Sequence, residues 1–498
     1  MKICFVSSEC VPYAKTGGLA DVSGALPKAL TELGIEVKTF LPLYSSINID
    51  EFGLKLDYAN QAIRINMGRS THYFNTWKSH LPGTSAEVYF IDCPDFYNRG
   101  VLYTNDHDEA ERFIFFQLAV LRILQNEQWA PDVVHCNDWQ AGLIPAFLKM
   151  NFKWDQLFEN TVSLLSIHNI GYQGRFSRDS IYGAGLPYKY YYPGGPFEFY
   201  NSFCFLKTGI AFSEVISTVS QTYAQEIQTV EFGAGLEGVL HDRQKDLYGI
   251  LNGIDNSVWN PEVDGYIAQN YTLETFQYKK KNKQELLESF HLPYDEKIPV
   301  IGMVTRLAIQ KGLDIFRPIM EEFIQQPVQF VILGSGEPEY EEFLYWIARK
   351  YPEKVAVTVG FNESLAHRIT AGADMFLMPS HYEPCGLNQM YSLNYGTVPI
   401  VRQTGGLADT VKDYDAFPED GNGFTFYEYT QSALLETLTR AVNKYSDKHA
   451  WEKMVTRGME ADFSWHASAE KYVQLYKAAG KNQGKIEQHY RMDGIDLK

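Results

Sequence analysis

An excess of positive charge, long apolar runs, paired cysteines and the common metal or nucleotide signatures are all missing from this chain of 498 residues. Lys and Arg number 44 against 61 Asp and Glu, a formal net charge of -17. That balance excludes broad binding along a phosphate backbone, so no nucleic acid is expected as a partner. No stretch approaches the roughly 18 apolar residues of a spanning helix, so no membrane partner is expected either. The opening run Met1–Val6 is too short for a signal peptide, and Glu9 interrupts it. The six cysteines (Cys4, Cys10, Cys93, Cys136, Cys204, Cys385) are scattered, with no C-x-x-C pair. They read as reduced thiols of a cytoplasmic protein rather than a disulfide frame or zinc site. H-E-x-x-H and Walker A patterns are absent.

What is present is ordinary globular composition with many aromatics. Hydrophobic residues make up 45%, charged residues 21% and aromatic residues 14%, with 33 tyrosines. Tyrosine suits contact with the C–H faces of sugars, though packing explains any single one more cheaply. The length exceeds one compact core, so two domains are the default expectation.

Short apolar, β-rich runs alternate with longer helical patterns. The strand candidates of the first half are Ile3–Ser7, Glu36–Leu41, Val88–Ile91, Asp132–Cys136, Ser163–Ile167 and Val215–Val219. Helical patterns fall at Leu19–Leu33 and Glu109–Glu127. After a looser stretch near Asn252–Pro261 the rhythm restarts with Pro299–Val304, Gln329–Leu333, Val355–Val359, Met375–Met378 and Val398–Val401, and a helical pattern at Leu313–Gln325. This alternation predicts two doubly wound α/β domains of Rossmann type. The expected division is residues 1–245, residues 246–475 and a polar tail over 476–498. Ligands of such sheets sit beyond the carboxyl ends of the strands, so two facing domains would form a deep cleft.

One hexapeptide, Thr-Gly-Gly-Leu-Ala-Asp, occurs at Thr16–Asp21 and again at Thr404–Asp409. Each copy follows a strand candidate and opens a helix candidate. Glycines admit a ligand close to the backbone, and a helix start offers unpaired N–H groups. A tight strand-to-helix turn would use the same residues, and both readings stand at this point. Lys15 precedes the first copy and could set an ammonium beside an anion. Arg306 and Lys311 follow the strand candidate Pro299–Val304 and suit a departing diphosphate, whose charge grows in the transition state. Glu383, in Ser380-His381-Tyr382-Glu383-Pro384-Cys385-Gly386-Leu387, follows Met375–Met378 and is the best carboxylate candidate. Cys385 reads as a small packing residue, while Gly386 and Leu387 would offer N–H groups. In the first half, Asp138 and the pair His168-Asn169 end two strand candidates.

Two other patterns carry less. Gly233–Gly238 matches G-x-G-x-x-G but follows no clear strand. Asp106-His107-Asp108 and Asp413-Tyr414-Asp415 match D-x-D, and helix capping explains the first pair more cheaply than a metal.

Taken together the segments Lys15–Val22, His135–Leu143, His168–Gly174, Phe232–Leu240, Leu251–Asp255, Gly302–Asp314, Gly360–Arg368 and Ser380–Val411 resemble bacterial glycogen synthases and plant starch synthases, retaining glucosyltransferases of GT-B architecture. The resemblance spans roughly residues 1 to 475. It implies transfer of glucose from ADP-glucose to the non-reducing end of an α-1,4-glucan, with no cofactor and no catalytic metal. It implies that Lys15, Arg306 and Lys311 hold the donor diphosphate and that Gly18, Gly386 and Leu387 add backbone donors. It places His168 on the glucosyl unit with Asp138, Asn169 and Asn252 nearby, and Glu383 on the glucose hydroxyls and the developing oxocarbenium ion. Phe361, Cys385 and Thr404 complete the expected substrate-binding set. Phe361 stands where many relatives have tyrosine, and is either a platform for the base or a core residue. The alternatives are another retaining GT-B transferase or an idle glucan-binding protein.

Overall fold

Runs such as Lys2–Val6 and Val162–Ile167 are buried along almost their whole length, as strands covered on both faces must be. In the computed structural model, which describes residues 1–482, these runs build two sheets in two units. The first unit takes Met1–Val219, Ala224–Gly253 and, of the described residues, 465–482; the second takes Ser220–Tyr223 and Ile254–Ser464.

The strands of the first unit are β1 Lys2–Val6, β2 Glu36–Pro42, β3 Lys55–Leu56, β4 Ile63–Met67, β5 Ser70–His80, β6 Glu87–Asp92, β7 Val133–Asn137, β8 Val162–Ile167, β9 Arg175–Phe176, β10 Glu198–Phe199, β11 Ser202–Cys204, β12 Val215–Thr218 and β13 Leu247–Gly249. The main sheet runs β13-β12-β8-β7-β1-β2-β6-β5-β3, with β4 on β5. Its body from β13 to β6 is parallel, whereas β5 pairs antiparallel with β6, β3 and β4. A small antiparallel sheet, β10-β11-β9, lies apart. The second unit holds β14 Val300–Leu307, β15 Gln329–Gly336, β16 Val355–Val359, β17 Met375–Met378, β18 Val398–Arg402 and β19 Phe424–Phe426. They form one parallel sheet in the order β16-β15-β14-β17-β18-β19.

Three sequence expectations change. The division falls at Gly253/Ile254 rather than 245/246. Residues 476–482 belong to the helix Trp465–Asn482 rather than to a tail, and 483–498 lie outside the described residues. The pattern over Leu313–Gln325 breaks into helices Leu313–Phe316 and Met320–Phe323 around a single turn at Arg317–Ile319, because Pro318 supplies no N–H to continue the ladder.

The helix Trp465–Asn482 returns to the first unit. Trp465, Ala469, Tyr472, Tyr476 and Ala479 recur at helical spacing and are buried with Val22, Leu26 and Leu30 of helix Gly18–Glu32, an apolar stripe facing a core. Tyr476 also reaches His135 in β7, whose Nδ1 lies 2.8 Å from the tyrosine oxygen and whose Nε2 lies 2.6 Å from Ser166 Oγ. Burial holds this imidazole well below its usual pKa; it is a neutral, satisfied core histidine. All six cysteines are buried thiols. No described helix is long and apolar enough to cross a membrane.

If this helix closes the first core, Tyr472→Ala costs about 3–5 kcal/mol, the range for truncating a buried aromatic. Denaturant unfolding of the full chain measures it; an unchanged midpoint would mean the helix is not part of that core.

Candidate functional site

In each sheet the order of the parallel strands reverses once, and Lys15, Asp138, Arg306, Lys311 and Glu383 lie at or beyond the ends of the strands that flank the reversals. In the first sheet the chain order proceeds from β1 through β2 to β6 on one side and from β7 through β8 and β12 to β13 on the other, so the reversal lies between β1 and β7. In the second it proceeds from β14 through β15 to β16 on one side and from β17 through β18 to β19 on the other, so it lies between β14 and β17. Ligands of open parallel sheets bind beyond the carboxyl ends at such a reversal.

In the second unit, Arg306 stands near the end of β14, and Lys311 ends the turn Ile309–Lys311. Lys311 Nζ lies 2.6 Å from Oε2 of Glu383, which follows β17 and is buried. The Ser380 hydroxyl, also buried, donates to the same oxygen at 3.0 Å. Gly312 makes this approach possible: its φ is +79°, and a Cβ there would lie 2.1 Å from the Pro379 carbonyl oxygen. Arg306 is exposed and donates to Gln310 Oε1 at 2.8 Å. Gln310 in turn accepts the His381 N–H on its main-chain oxygen at 2.9 Å, so the two loops are clasped. Arg306, Lys311, Ser380 and Asn388 line a cavity of about 200 Å³ with Met303–Thr305 and Leu377–Pro379.

In the first unit, the loop after β1 is tied down by Glu9. Its buried carboxylate accepts the Thr16 N–H at 2.5 Å, the Thr16 hydroxyl at 2.6 Å, the Gly17 N–H at 3.0 Å and the Tyr103 hydroxyl at 2.7 Å. Lys15 is exposed and pairs with Asp21 at 2.7 Å. Asp138, directly after β7, has φ 54° and ψ -166°, a region non-glycine residues rarely enter outside functional sites. Its Oδ1 accepts the His168 N–H at 2.7 Å. Burial pushes the Asp138 carboxyl up to about 7, against the N–H donors of His168 and Asn169, and the Glu9 charge adds to the rise.

Burial lowers His168 to about 4, so its imidazole is neutral at pH 7. Its Nε2 lies 2.9 Å from Asn137 Oδ1, and Asn137 Nδ2 donates to the Val6 carbonyl at 3.0 Å. Asn137 therefore presents its oxygen, Nε2 carries the proton, and Nδ1 is left as an acceptor. Asn252, beyond β13, is buried, and its Oδ1 has no hydrogen-bond partner among the described residues.

The two Thr-Gly-Gly-Leu-Ala-Asp copies differ physically. A Cβ on Gly405 would lie 1.9 Å from the Glu383 carbonyl oxygen, and one on Gly406 would lie 1.9 Å from that of Cys385. Gly406 N–H also donates to the Glu383 carbonyl at 3.1 Å. These glycines exist to seat the Glu383–Cys385 backbone. A Cβ on Gly17 or Gly18 would meet nothing within 4 Å, so the fold does not demand glycine there. Close approach of a ligand would.

The remaining expectations fall as follows. Gly386, at φ +68°, and Leu387 precede helix Asn388–Asn394. Thr404 is buried before helix Gly405–Thr410, and Cys385 is buried as a packing residue. Phe361 follows β16 and is 91% exposed, so it is not a core residue. Asp108 makes no side-chain cap; Asp106 and Asp108 are instead held by Arg99. Asp413 accepts the Thr425 N–H at 2.8 Å and pairs with Arg440 at 3.3 Å. Gly233–Leu236 form a turn and Glu237 and Gly238 open helix Glu237–Asp242, with no strand directly before them. Glu9, Gln310 and Ser380 had no assigned role in the sequence. A carboxylate closing an apolar strand at Glu9 was the one available signal.

Two sheets of this topology, with charged side chains at each reversal, define a glycosyltransferase of GT-B architecture. Residues 2–242 match the family model described as starch synthase catalytic domain, and residues 284–457 match glycosyl transferases group 1. Glycogen synthase of Pseudothermotoga lettingae is 45% identical over 96% of this chain and 99% of its own length. That of Thermosipho africanus is 46% identical over the same shares. Among solved structures, the catalytic domain of starch synthase IV from Arabidopsis thaliana, bound to ADP and acarbose, superposes with a TM-score of 0.88. It is 32% identical and covers 96% of this chain and 99% of that one. Sucrose-phosphate synthase from Thermosynechococcus elongatus, 18% identical with a TM-score of 0.58, shares the fold. The chain belongs to the glycogen and starch synthase family.

The glycine contrast is directly measurable. Gly406→Ala should destabilise the chain by about 1–3 kcal/mol or more, as overpacking against backbone does. Gly17→Ala should stay within about 0.5 kcal/mol of wild type. Equal losses in thermal or denaturant unfolding would show that the first copy is as structurally constrained as the second.

Proposed function

We propose that this chain lengthens an α-1,4-glucan at its non-reducing end with glucose from ADP-glucose, retaining the anomeric configuration. The observation that carries the reading is the part-buried Lys311–Glu383 pair at 2.6 Å, beside a cavity lined by Arg306. A cation and a carboxylate at one strand reversal suit a bond whose two halves develop opposite charge. Lys311 and Arg306 stabilise the diphosphate as it leaves, and Glu383 holds the glucosyl hydroxyls and stabilises the oxocarbenium character of C1. Gly386 and Leu387 add N–H groups at the start of helix Asn388–Asn394.

The acceptor Nδ1 of neutral His168 takes a hydrogen bond from a sugar hydroxyl, with Asp138, Asn169 and Asn252 around it. The orphaned Asn252 Oδ1 suits a further hydroxyl. Lys15 and Gly18 present an ammonium and an uncrowded backbone to the donor phosphates. Six buried thiols suit a reducing cytoplasm.

ADP is favoured on two grounds. The Arabidopsis starch synthase IV domain, 32% identical, is bound to ADP. The exposed Phe361 ring offers a flat face, and a purine stacks on it over more area than a pyrimidine, a gain of about 0.5–1.5 kcal/mol.

The test is transfer to glycogen from ADP-glucose and UDP-glucose. kcat/KM should favour ADP-glucose, and Phe361→Ala should narrow the ratio by a few-fold to about tenfold. Glu383→Gln should lower turnover about 100–1000-fold. Equal use of both donors contradicts the donor assignment. A Glu383→Gln enzyme keeping more than about a third of wild-type turnover removes Glu383 from the chemistry.

A further inference from the structure

The carboxylate of Glu383 is held asymmetrically. Oε2 receives both donors, Lys311 Nζ at 2.6 Å and Ser380 Oγ at 3.0 Å. Oε1 takes neither of these donors. We propose that Ser380 is a positioning residue: its hydroxyl pins Oε2 and so leaves Oε1 as the oxygen turned to the glucosyl unit. The inference rests on the role given to Glu383 and Lys311 above.

Three features make the hydroxyl suited to this. Ser380 is buried, at 1% exposure, so water does not compete for its proton. It follows Pro379, whose carbonyl oxygen packs against Gly312 so tightly that no Cβ fits. The serine and the lysine therefore come from the two strands that meet at the reversal, β17 and β14, with their backbones in contact. The Ser380 side chain also lines the cavity together with Lys311 and Arg306. It acts at the edge of the space assigned to the donor and not from behind the loop.

The contribution grows when the donor binds. A diphosphate draws the Lys311 ammonium toward its own oxygens, and an ammonium shared between two anions holds each less firmly. Ser380 has no such second demand, since its single proton points to Oε2. It is then the donor that keeps the carboxylate from rotating as charge builds at C1. Loss of the hydroxyl should weaken the transition state more than the ground state, so the defect falls on kcat and spares the donor KM.

A double-mutant cycle on turnover tests this, with Ser380→Ala, Glu383→Gln and the double variant, all as full chains checked by thermal melting. Ser380→Ala should lower kcat about 10–100-fold, the worth of a hydrogen bond to a charged group, with the ADP-glucose KM within about twofold. The double variant should turn over no more slowly than Glu383→Gln alone, because the serine acts through the carboxylate. Three results would overturn the proposal. Ser380→Ala within about threefold of wild-type kcat, beside a disabled Glu383→Gln, makes the hydroxyl idle while the Glu383 reading survives. Fully multiplicative losses in the double variant assign Ser380 a job independent of Glu383. A wild-type rate in Glu383→Gln removes the reading on which the inference rests.

Discussion

The ion pair between Lys311 and Glu383 sets what the second unit must do. A buried glutamate held this close to a part-buried lysine carries a desolvation penalty that attraction alone offsets poorly, and removing the lysine leaves the carboxylate stranded. Such a pair persists when surrounding contacts force it. Here the force comes from glycines. Gly312 lets the chain after β14 lie on Pro379, and Gly405 and Gly406 let the loop after β18 lie on the carbonyls of Glu383 and Cys385. Three neighbouring parallel strands, β14, β17 and β18, thus deliver one carboxylate and one ammonium to a fixed spot. The proposed transfer of a sugar from a diphosphate would use this arrangement, because both charges must stand ready before the bond begins to break.

The repeated hexapeptide shows that identical sequence need not mean identical work. In the second copy the glycines are buttresses, and Asp409 caps helix Gln221–Glu226. Its carboxylate accepts the Gln221 N–H at 2.6 Å and the Thr222 hydroxyl at 2.6 Å. In the first copy the glycines face open space, Asp21 pairs with Lys15 at the surface, and the loop is secured from below by Glu9. An exposed Lys15–Asp21 pair is worth at most about 1 kcal/mol. It breaks easily in favour of an anion, whereas the Glu9 cradle has no reason to move.

Much of this was legible in the chain. Val355–Val359 and Met375–Met378 fold as strands with the bounds their apolar runs suggest. The site residues stood out as charged or polar groups placed where such runs stop. Other features were not legible. The antiparallel pairing of β5 depends on a partner chosen in three dimensions. The stripe from Trp465 to Ala479 was divided between the end of the second domain and a polar tail, since sequence order does not say which core a helix joins. Ser380 and Gln310 lay inside recognised segments, yet nothing local tells which oxygen a hydroxyl or amide will find. Phe361 was open between core and platform, and its exposure excludes the core.

The central claim is that the Lys311–Glu383 pair divides on donor binding, the ammonium going to phosphate and the carboxylate to sugar. Calorimetric titration of ADP, which has phosphates and no glucose, tests it most directly. Lys311→Ala should weaken ADP binding by about tenfold or more, as loss of a charge-assisted hydrogen bond does. Glu383→Gln should leave ADP bound as tightly as in wild type or more tightly, since it frees the ammonium from a competing anion. A Glu383→Gln chain that loses as much ADP affinity as Lys311→Ala would contradict the account.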